Sequence, residues 1–213
     1  MKTIDDLRVK IFADGADKAG MLEMYAKPYI KGFTTNPTLM RKAGVTDYRA
    51  FAKDILRAIP DRPISFEVLS DEFDVMDRQA REISTWGSQV FVKIPITNTR
   101  REPTYDLVKR LSKTGVKVNV TALLTLEQVS KVVGCVTGGS PCYVSIFAGR
   151  VADTGRDPVP IMAKGCGDFK IGPQCRTHLG KPSRVVEHLP GRRNWLPHYH
   201  CDERHSEEAF TCG

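Results

Sequence analysis

A single lysine sits inside an otherwise apolar run, Gln89-Val90-Phe91-Val92-Lys93-Ile94-Pro95-Ile96. A β-branched run this short reads as a fully buried parallel strand. Nothing else in the run can neutralise an ammonium, so burying it there is costly. A desolvated lysine responds by losing its proton, and a neutral amine attacks carbonyls. The alternative is a lysine at a strand end that snorkels to water. Five more polar residues stand at the ends of other apolar runs: Asp14, Asn36, Glu67, Asn119 and Ser145. Taken singly, Asp14 could cap a helix, Asn36 before Pro37 could make a turn, and Glu67 could pair with a surface base. Taken together, they supply an amine, two carboxylates and three hydrogen-bonding groups. That is a set for chemistry at a carbonyl, provided the fold gathers it in one place.

The elements between these residues repeat. Leu7 to Ala13 reads as a strand and Asp17 to Tyr25 as a helix. Tyr29 to Phe33 is a second strand, running into Thr34-Thr35-Asn36-Pro37. Tyr48, Phe51, Ile55 and Ile59 recur at helical spacing, and Pro60 and Pro63 end that segment. Ile64 to Val68 and Asp71 to Thr85 form the next strand and helix, and the lysine strand is fourth. Glu102 to Thr114 reads as a helix, Val116 to Val120 as a strand, Leu124 to Val133 as a helix and Cys142 to Phe147 as the sixth strand. Six β-then-α units predict a parallel sheet, either doubly wound or closed as a barrel. No Gly-x-Gly-x-x-Gly follows a strand, and no phosphate-loop lysine signature is present. Polar residues at strand C-termini favour the barrel, whose strand ends all face one mouth.

At 213 residues the chain suits one domain with a sizeable core. Its formal net charge of +7 is spread along the sequence, so no nucleic-acid footprint is visible, although a phosphorylated substrate would be favoured. No apolar stretch is long enough to span a membrane. The start, Met1-Lys2-Thr3-Ile4-Asp5-Asp6, lacks an apolar signal core, which gives the cytoplasm as the expected location.

Six stretches together resemble the transaldolase family, in its small subgroup that includes fructose-6-phosphate aldolase-like enzymes. They are Phe12-Ala13-Asp14-Gly15, Gly32-Phe33-Thr34-Thr35-Asn36-Pro37-Thr38, Ser65-Phe66-Glu67-Val68, Val92-Lys93-Ile94-Pro95, Val118-Asn119-Val120-Thr121 and Ser145-Ile146-Phe147-Ala148-Gly149-Arg150. They cover most of residues 8 to 162 in the right order. The resemblance implies a (β/α)8 TIM barrel of the class I aldolase type, acting in carbohydrate metabolism and the pentose phosphate pathway. It implies that Lys93 forms a Schiff base with a ketose and that Asp14 takes the hydroxyl proton at the breaking bond. Glu67 would work through a bound water held by Thr121, while Asn36, Asn119 and Ser145 hold the dihydroxyacetone unit. Arg150 would pair with the substrate phosphate. Glu67 and Phe147 resemble transaldolase, whereas fructose-6-phosphate aldolases tend to carry Gln and Tyr there. Transfer of a dihydroxyacetone unit between sugar phosphates is therefore expected, with plain aldol cleavage as the alternative. The resemblance implies no metal and no organic cofactor, sugar phosphates as partners, and a homo-oligomer for an intact member.

The resemblance stops near Ala163-Lys164. Every histidine lies between His178 and His205, and Cys166, Cys175, Cys201 and Cys212 all lie beyond Ala163. We therefore divide the chain into a barrel portion, 1–162, and an aberrant, poorly packed tail, 163–213, with strands seven and eight of the barrel missing. Codons for Lys164 to Glu187 can be chosen so that, one base along, they spell KAVEILKSAPNAELIWASPRELLN. Residues from His188 can likewise be re-read as IFQADEIGCHIITVTNDILKKL. That text holds an amphipathic helix and two strand-like runs, so a frameshift near Lys164 is expected. A rival reading takes Cys175-x-x-His178 and His198-x-His200-Cys201-x-x-x-His205 as zinc ligands, but the spacing matches no strong zinc pattern. A barrel cut short is expected to have little activity. A non-catalytic sugar-phosphate-binding remnant and a translation product without function are the other readings.

Overall fold

The computed structural model describes residues 10–167, 175–179 and 200–201. Six parallel strands alternate with helices: β1 Ile11–Asp14, α1 Lys18–Tyr25, β2 Ile30–Thr34, α2 Pro37–Lys42, α3 Tyr48–Ala58, β3 Ile64–Glu67, α4 Phe73–Ser84, β4 Val90–Pro95, α5 Tyr105–Lys113, β5 Val118–Leu123, α6 Leu126–Val136 and β6 Cys142–Ile146. The helices α7 Ala148–Asp153 and α8 Val159–Gly167 follow. The strands pair in sequence order and curl into an incomplete (β/α) barrel. Among the described residues, β1 pairs only with β2.

Two further strands extend the sheet beyond the six units. β7, Cys175–Leu179, lies parallel on β6, and β8, His200–Cys201, lies antiparallel on β7. The sequence reading finds no strand here, because Cys175-Arg176-Thr177-His178-Leu179 lacks the alternation that marks one. Its pairing is backbone bonding to the exposed side of β6. An antiparallel eighth strand of two residues is not the closing strand of a (β/α)8 barrel. α8 runs through the 162/163 boundary inferred from composition. The remainder of the expected tail, including the side chains of the zinc-ligand candidates, lies outside the described residues.

Alternation along the strands sorts side chains onto two faces. Ile64, Phe66, Val90, Val92, Ile94, Val118, Val120, Val144 and Ile146 are buried in one large core with the helices. Each helix meets them with a stripe at helical spacing: Ala52, Ile55 and Leu56 on α3, Met76, Ala80 and Ile83 on α4, Leu107, Val108 and Leu111 on α5, Val129, Val132 and Val136 on α6. The intervening positions face inward. Phe12, Phe91 and Tyr143 form a separate aromatic cluster there, with Tyr143 4.2 Å from Phe91 and 5.6 Å from Phe12 between ring centroids. One position further along each strand pleat the same face turns polar. The barrel therefore has an aromatic floor and a polar mouth.

The floor explains one glycine. Gly32 is in register with Phe12, and a Cβ on Gly32 would overlap the Phe12 ring. That ring is itself wedged edge-on against Tyr143. Gly32→Ala is expected to destabilise the protein by about 1–3 kcal/mol, the usual range for forcing atoms into a packed core. Urea unfolding of the variant checks this, and Phe12→Leu in the same chain should recover part of the loss.

Local chemistry sets the helix starts. Asp17, Asn36, Asp47 and Thr125 each accept a bond from a backbone N–H three residues on, and Thr125 with Gln128 completes a capping box. α5 begins at Tyr105 rather than at Glu102, where the sequence places it. Asn98 and Glu102 are bonded through backbone and side chains, Thr97 bridges Pro103, and Arg101 takes φ +65°. These contacts keep residues 97–104 as a compact loop. No helix among the described residues is long and apolar enough to cross a membrane.

Candidate active site

Register decides which residues meet. Glu67 on β3 pairs with Lys93 on β4, Lys93 with Asn119 on β5, and Asp14 on β1 with Thr34 on β2. All of these lie on the inward face, above the aromatic floor. The Lys93 Nζ lies 3.2 Å from Glu67 Oε2 and donates to the Thr35 carbonyl at 3.1 Å. Lys93 is only 8% exposed. The sequence reading left this ammonium without a partner in its own run. The partners come from the adjoining strand and from the end of β2, which is why the lysine can be buried at all.

The other polar groups are fixed by bonds to one another. Thr34 Oγ1 donates to Asp14 Oδ1 at 2.9 Å, holding a half-buried carboxylate at the end of β1. Ser145 Oγ donates to Asn119 Oδ1 at 2.7 Å, and Asn119 Nδ2 donates to Ser65 Oγ at 3.0 Å. This buried chain links β3, β5 and β6 across the inner face. Thr121, two residues beyond Asn119 and 3% exposed, shares that face. Sequence reasoning missed Thr34 and Ser65. Each stands two residues before a residue it named, Asn36 and Glu67, and a period of two points to both.

Three named residues are placed differently. Asn36 caps α2, its Oδ1 accepting from Leu39 N at 2.9 Å, so one end of its amide is spent on the helix. Phe147 is the cap residue of α7 and is half-buried. Arg150, on α7, is 67% exposed and pairs with Asp153 at 3.2 Å. Asp14, Glu67, Lys93, Asn119, Thr121 and Ser145 thus share the inward face, while Arg150 is turned to a neighbour on its own helix.

The loops that follow β3 and β4 are tied together beside the lysine strand. Asp71 accepts from Thr99 N at 2.7 Å and Thr99 Oγ1 at 2.5 Å, and Arg100 bonds Glu72 at 2.7 Å and Glu102 at 3.1 Å. These bonds favour the ionised carboxylates. The Thr99 hydroxyl and amide hold Asp71 below the usual carboxylate range, Arg100 does the same to Glu72, and Asn98 with Arg100 does it to Glu102. The cross-link joins the loop after β3 to the loop after β4.

An amine nucleophile beside one carboxylate, with a second carboxylate on the same face and a bonded set of hydroxyls and an amide, can form an imine and move protons around it. The family model described as Transaldolase/Fructose-6-phosphate aldolase matches residues 11–171. A "Probable transaldolase" of Dehalococcoides mccartyi is 34% identical over 154 residues, covering 72% of this chain and 68% of that protein. Another from Streptococcus agalactiae is 35% identical over 154 residues, covering 72% and 67%. A third, from Methanococcus maripaludis, is 37% identical over 156 residues, covering 73% and 68%.

Proposed function

Because this chain belongs to the transaldolase/fructose-6-phosphate aldolase family, we propose that its inward polar face carries Schiff-base transfer of a dihydroxyacetone unit between sugar phosphates. The observation that carries this reading is the buried Lys93 amine, 3.2 Å from Glu67 on the concave side of the sheet. With its proton passed to Glu67, the Lys93 amine adds to the C2 carbonyl of a ketose phosphate. Loss of water from that adduct leaves a protonated imine conjugated to the bond that must break. Asp14 takes the proton from the C4 hydroxyl, the C3–C4 bond cleaves, and its electron pair passes to the imine as an enamine. The aldose phosphate leaves. An acceptor aldehyde then takes the reverse path, and water hydrolyses the new imine to free Lys93. No metal or organic cofactor is consumed in this sequence.

Glu67 relays protons to and from the nitrogen through a water that Thr121 holds. Asn119 and Ser145, already bonded to each other, orient the hydroxyls of the dihydroxyacetone unit, and the amide N–H groups of Asn36 add to that set. Arg150 takes the phosphate when it gives up Asp153. The transferred unit stays covalently attached between half-reactions, so proximity supplies much of the rate.

Among the described residues only six β/α units surround this face, and we propose that turnover by the chain as written is low for that reason. The test is borohydride trapping with fructose 6-phosphate. Reduction of the imine should add the mass of a reduced dihydroxyacetone unit, or of the ketose phosphate where cleavage has not yet occurred, to one peptide, the one containing Lys93. No labelled peptide, or a label on another lysine, overturns the reading. Ligand-induced thermal stabilisation without any label would favour the non-catalytic binding reading instead.

A further inference from the structure

The hydrogen-bond ladder on the β2 side of β3 stops one step early. Phe33 N donates to Pro63 O at 2.8 Å, and Thr35 N donates to Ser65 O at 3.1 Å. The next donor in that series is residue 37, and the acceptor is Glu67 O. Residue 37 is Pro37, the first residue of α2, and it has no N–H. Left alone, the carbonyl at the end of β3 would be an unsatisfied acceptor beside the buried Lys93 pair.

A side chain from α3 fills the gap. Tyr48 Oη donates to Glu67 O at 2.9 Å. Its ring is held on two sides, 5.3 Å from Trp86 and 6.1 Å from Phe66 between centroids, both edge-on, and Phe66 and Trp86 touch each other at 5.8 Å. Asp47 fixes the start of the helix by accepting from Ala50 N at 2.9 Å. Burial pushes the Tyr48 phenol above its ordinary range, so it remains a proton donor throughout the working pH.

Resting on the Schiff-base reading above, we propose that Tyr48 is a positioning residue. Its phenol stands in for the strand bond that Pro37 cannot give, holds the C-terminal end of β3, and so keeps the Glu67 carboxylate against the Lys93 amine. Nothing in the sequence pattern assigns this role to Tyr48, which reads there only as the first apolar position of a helix.

The test compares the wild-type chain with Tyr48→Phe, Glu67→Gln and the double variant. Phenylalanine keeps the three rings, and near-ultraviolet circular dichroism checks that their packing survives. Lys93 is methylated with formaldehyde and cyanoborohydride at fixed pH, and its rate is read by peptide mass spectrometry, a readout that needs no turnover. Glu67→Gln frees the amine and speeds its modification. Tyr48→Phe should speed it about fivefold, the equivalent of one net hydrogen bond. In the Glu67→Gln background, Tyr48→Phe should add less than about twofold, because the group it positions is gone. A rate unchanged by Tyr48→Phe, or raised by the same factor in both backgrounds, overturns the proposal. A merely structural role gives the latter result. Trapping with fructose 6-phosphate is run on the same proteins. A wild-type chain that methylates as expected but never traps sinks the Schiff-base reading while leaving the Tyr48 contact in place.

Discussion

On the Schiff-base proposal, replacing Lys93 by arginine or methionine is expected to abolish borohydride-dependent labelling by fructose 6-phosphate and to lower turnover by about 10³-fold or more. Loss of a covalent nucleophile has this scale because the remaining groups can bind the substrate but cannot supply an electron sink. The two variants separate chemistry from folding. Arginine keeps a cation opposite Glu67 but cannot form an imine. Methionine removes the cation and leaves a carboxylate whose side chain is only 15% exposed. Breaking a buried pair in this way costs about 3–5 kcal/mol. Lys93→Met should therefore unfold at lower temperature than Lys93→Arg, and adding Glu67→Gln should restore part of the difference. Both should be equally blank in the trapping assay. A Lys93→Met chain that still acquires the mass of the reduced dihydroxyacetone unit or of the ketose phosphate would move the chemistry to another residue.

The second large effect concerns the tail. We propose that the bases beyond the codon for Lys164 are read one position out of frame. The matched stretch ends at residue 171, and the relatives are covered over 67–68% of their own lengths. A chain in which KAVEILKSAPNAELIWASPRELLN and IFQADEIGCHIITVTNDILKKL replace everything from position 164 should turn over sugar phosphates at least about 10²-fold faster than the chain as written. The reason is geometric. Among the described residues only six β/α units support Lys93 and Glu67, and catalysis of this kind loses about 10²-fold for small errors of placement. Steady-state transfer of dihydroxyacetone to an aldose phosphate, measured on both chains, decides it. Equal activity removes the argument for a damaged barrel. Independent sequencing of the gene that finds an uninterrupted frame, with codons that cannot spell the alternative text, ends the frameshift proposal.

The substitutions at Gly32 and Tyr48 test a different property of the molecule, the support beneath the reacting groups. Neither residue carries chemistry. Gly32 leaves room for the Phe12 ring at the floor, and Tyr48 completes the bonding of the strand that presents Glu67. Both effects are smaller than the loss of Lys93, and both act at a distance from the amine.

Much of the barrel is legible in the amino acids alone because its signals are local. Alternation in Ile64-Ser65-Phe66-Glu67, β-branched runs around Lys93 and Asn119, and helical stripes such as Met76, Ala80 and Ile83 depend on residues a few positions apart. The same local pattern picks out Asp14, Glu67, Lys93, Asn119 and Ser145 as strand-end residues. Asp14 and Glu67 do end their strands, whereas Lys93 stands two residues inside β4 and Asn119 is the second residue of β5, because both strands run on further than their apolar cores suggest. Strand register is not local. It is set by how whole helices pack on whole strands, and it alone puts Glu67 opposite Lys93 and Thr34 opposite Asp14. Backbone accounting is likewise tertiary. That Asn36 is used as a cap, that Pro37 leaves a carbonyl for Tyr48, and that Cys175–Leu179 adds to β6 without any alternation of its own all follow from which N–H and C=O groups the assembled chain leaves to be satisfied. The candidate reacting groups are legible in the sequence because their chemistry is written in single side chains. The fold decided their partners, because partnership is a distance between segments far apart in the chain.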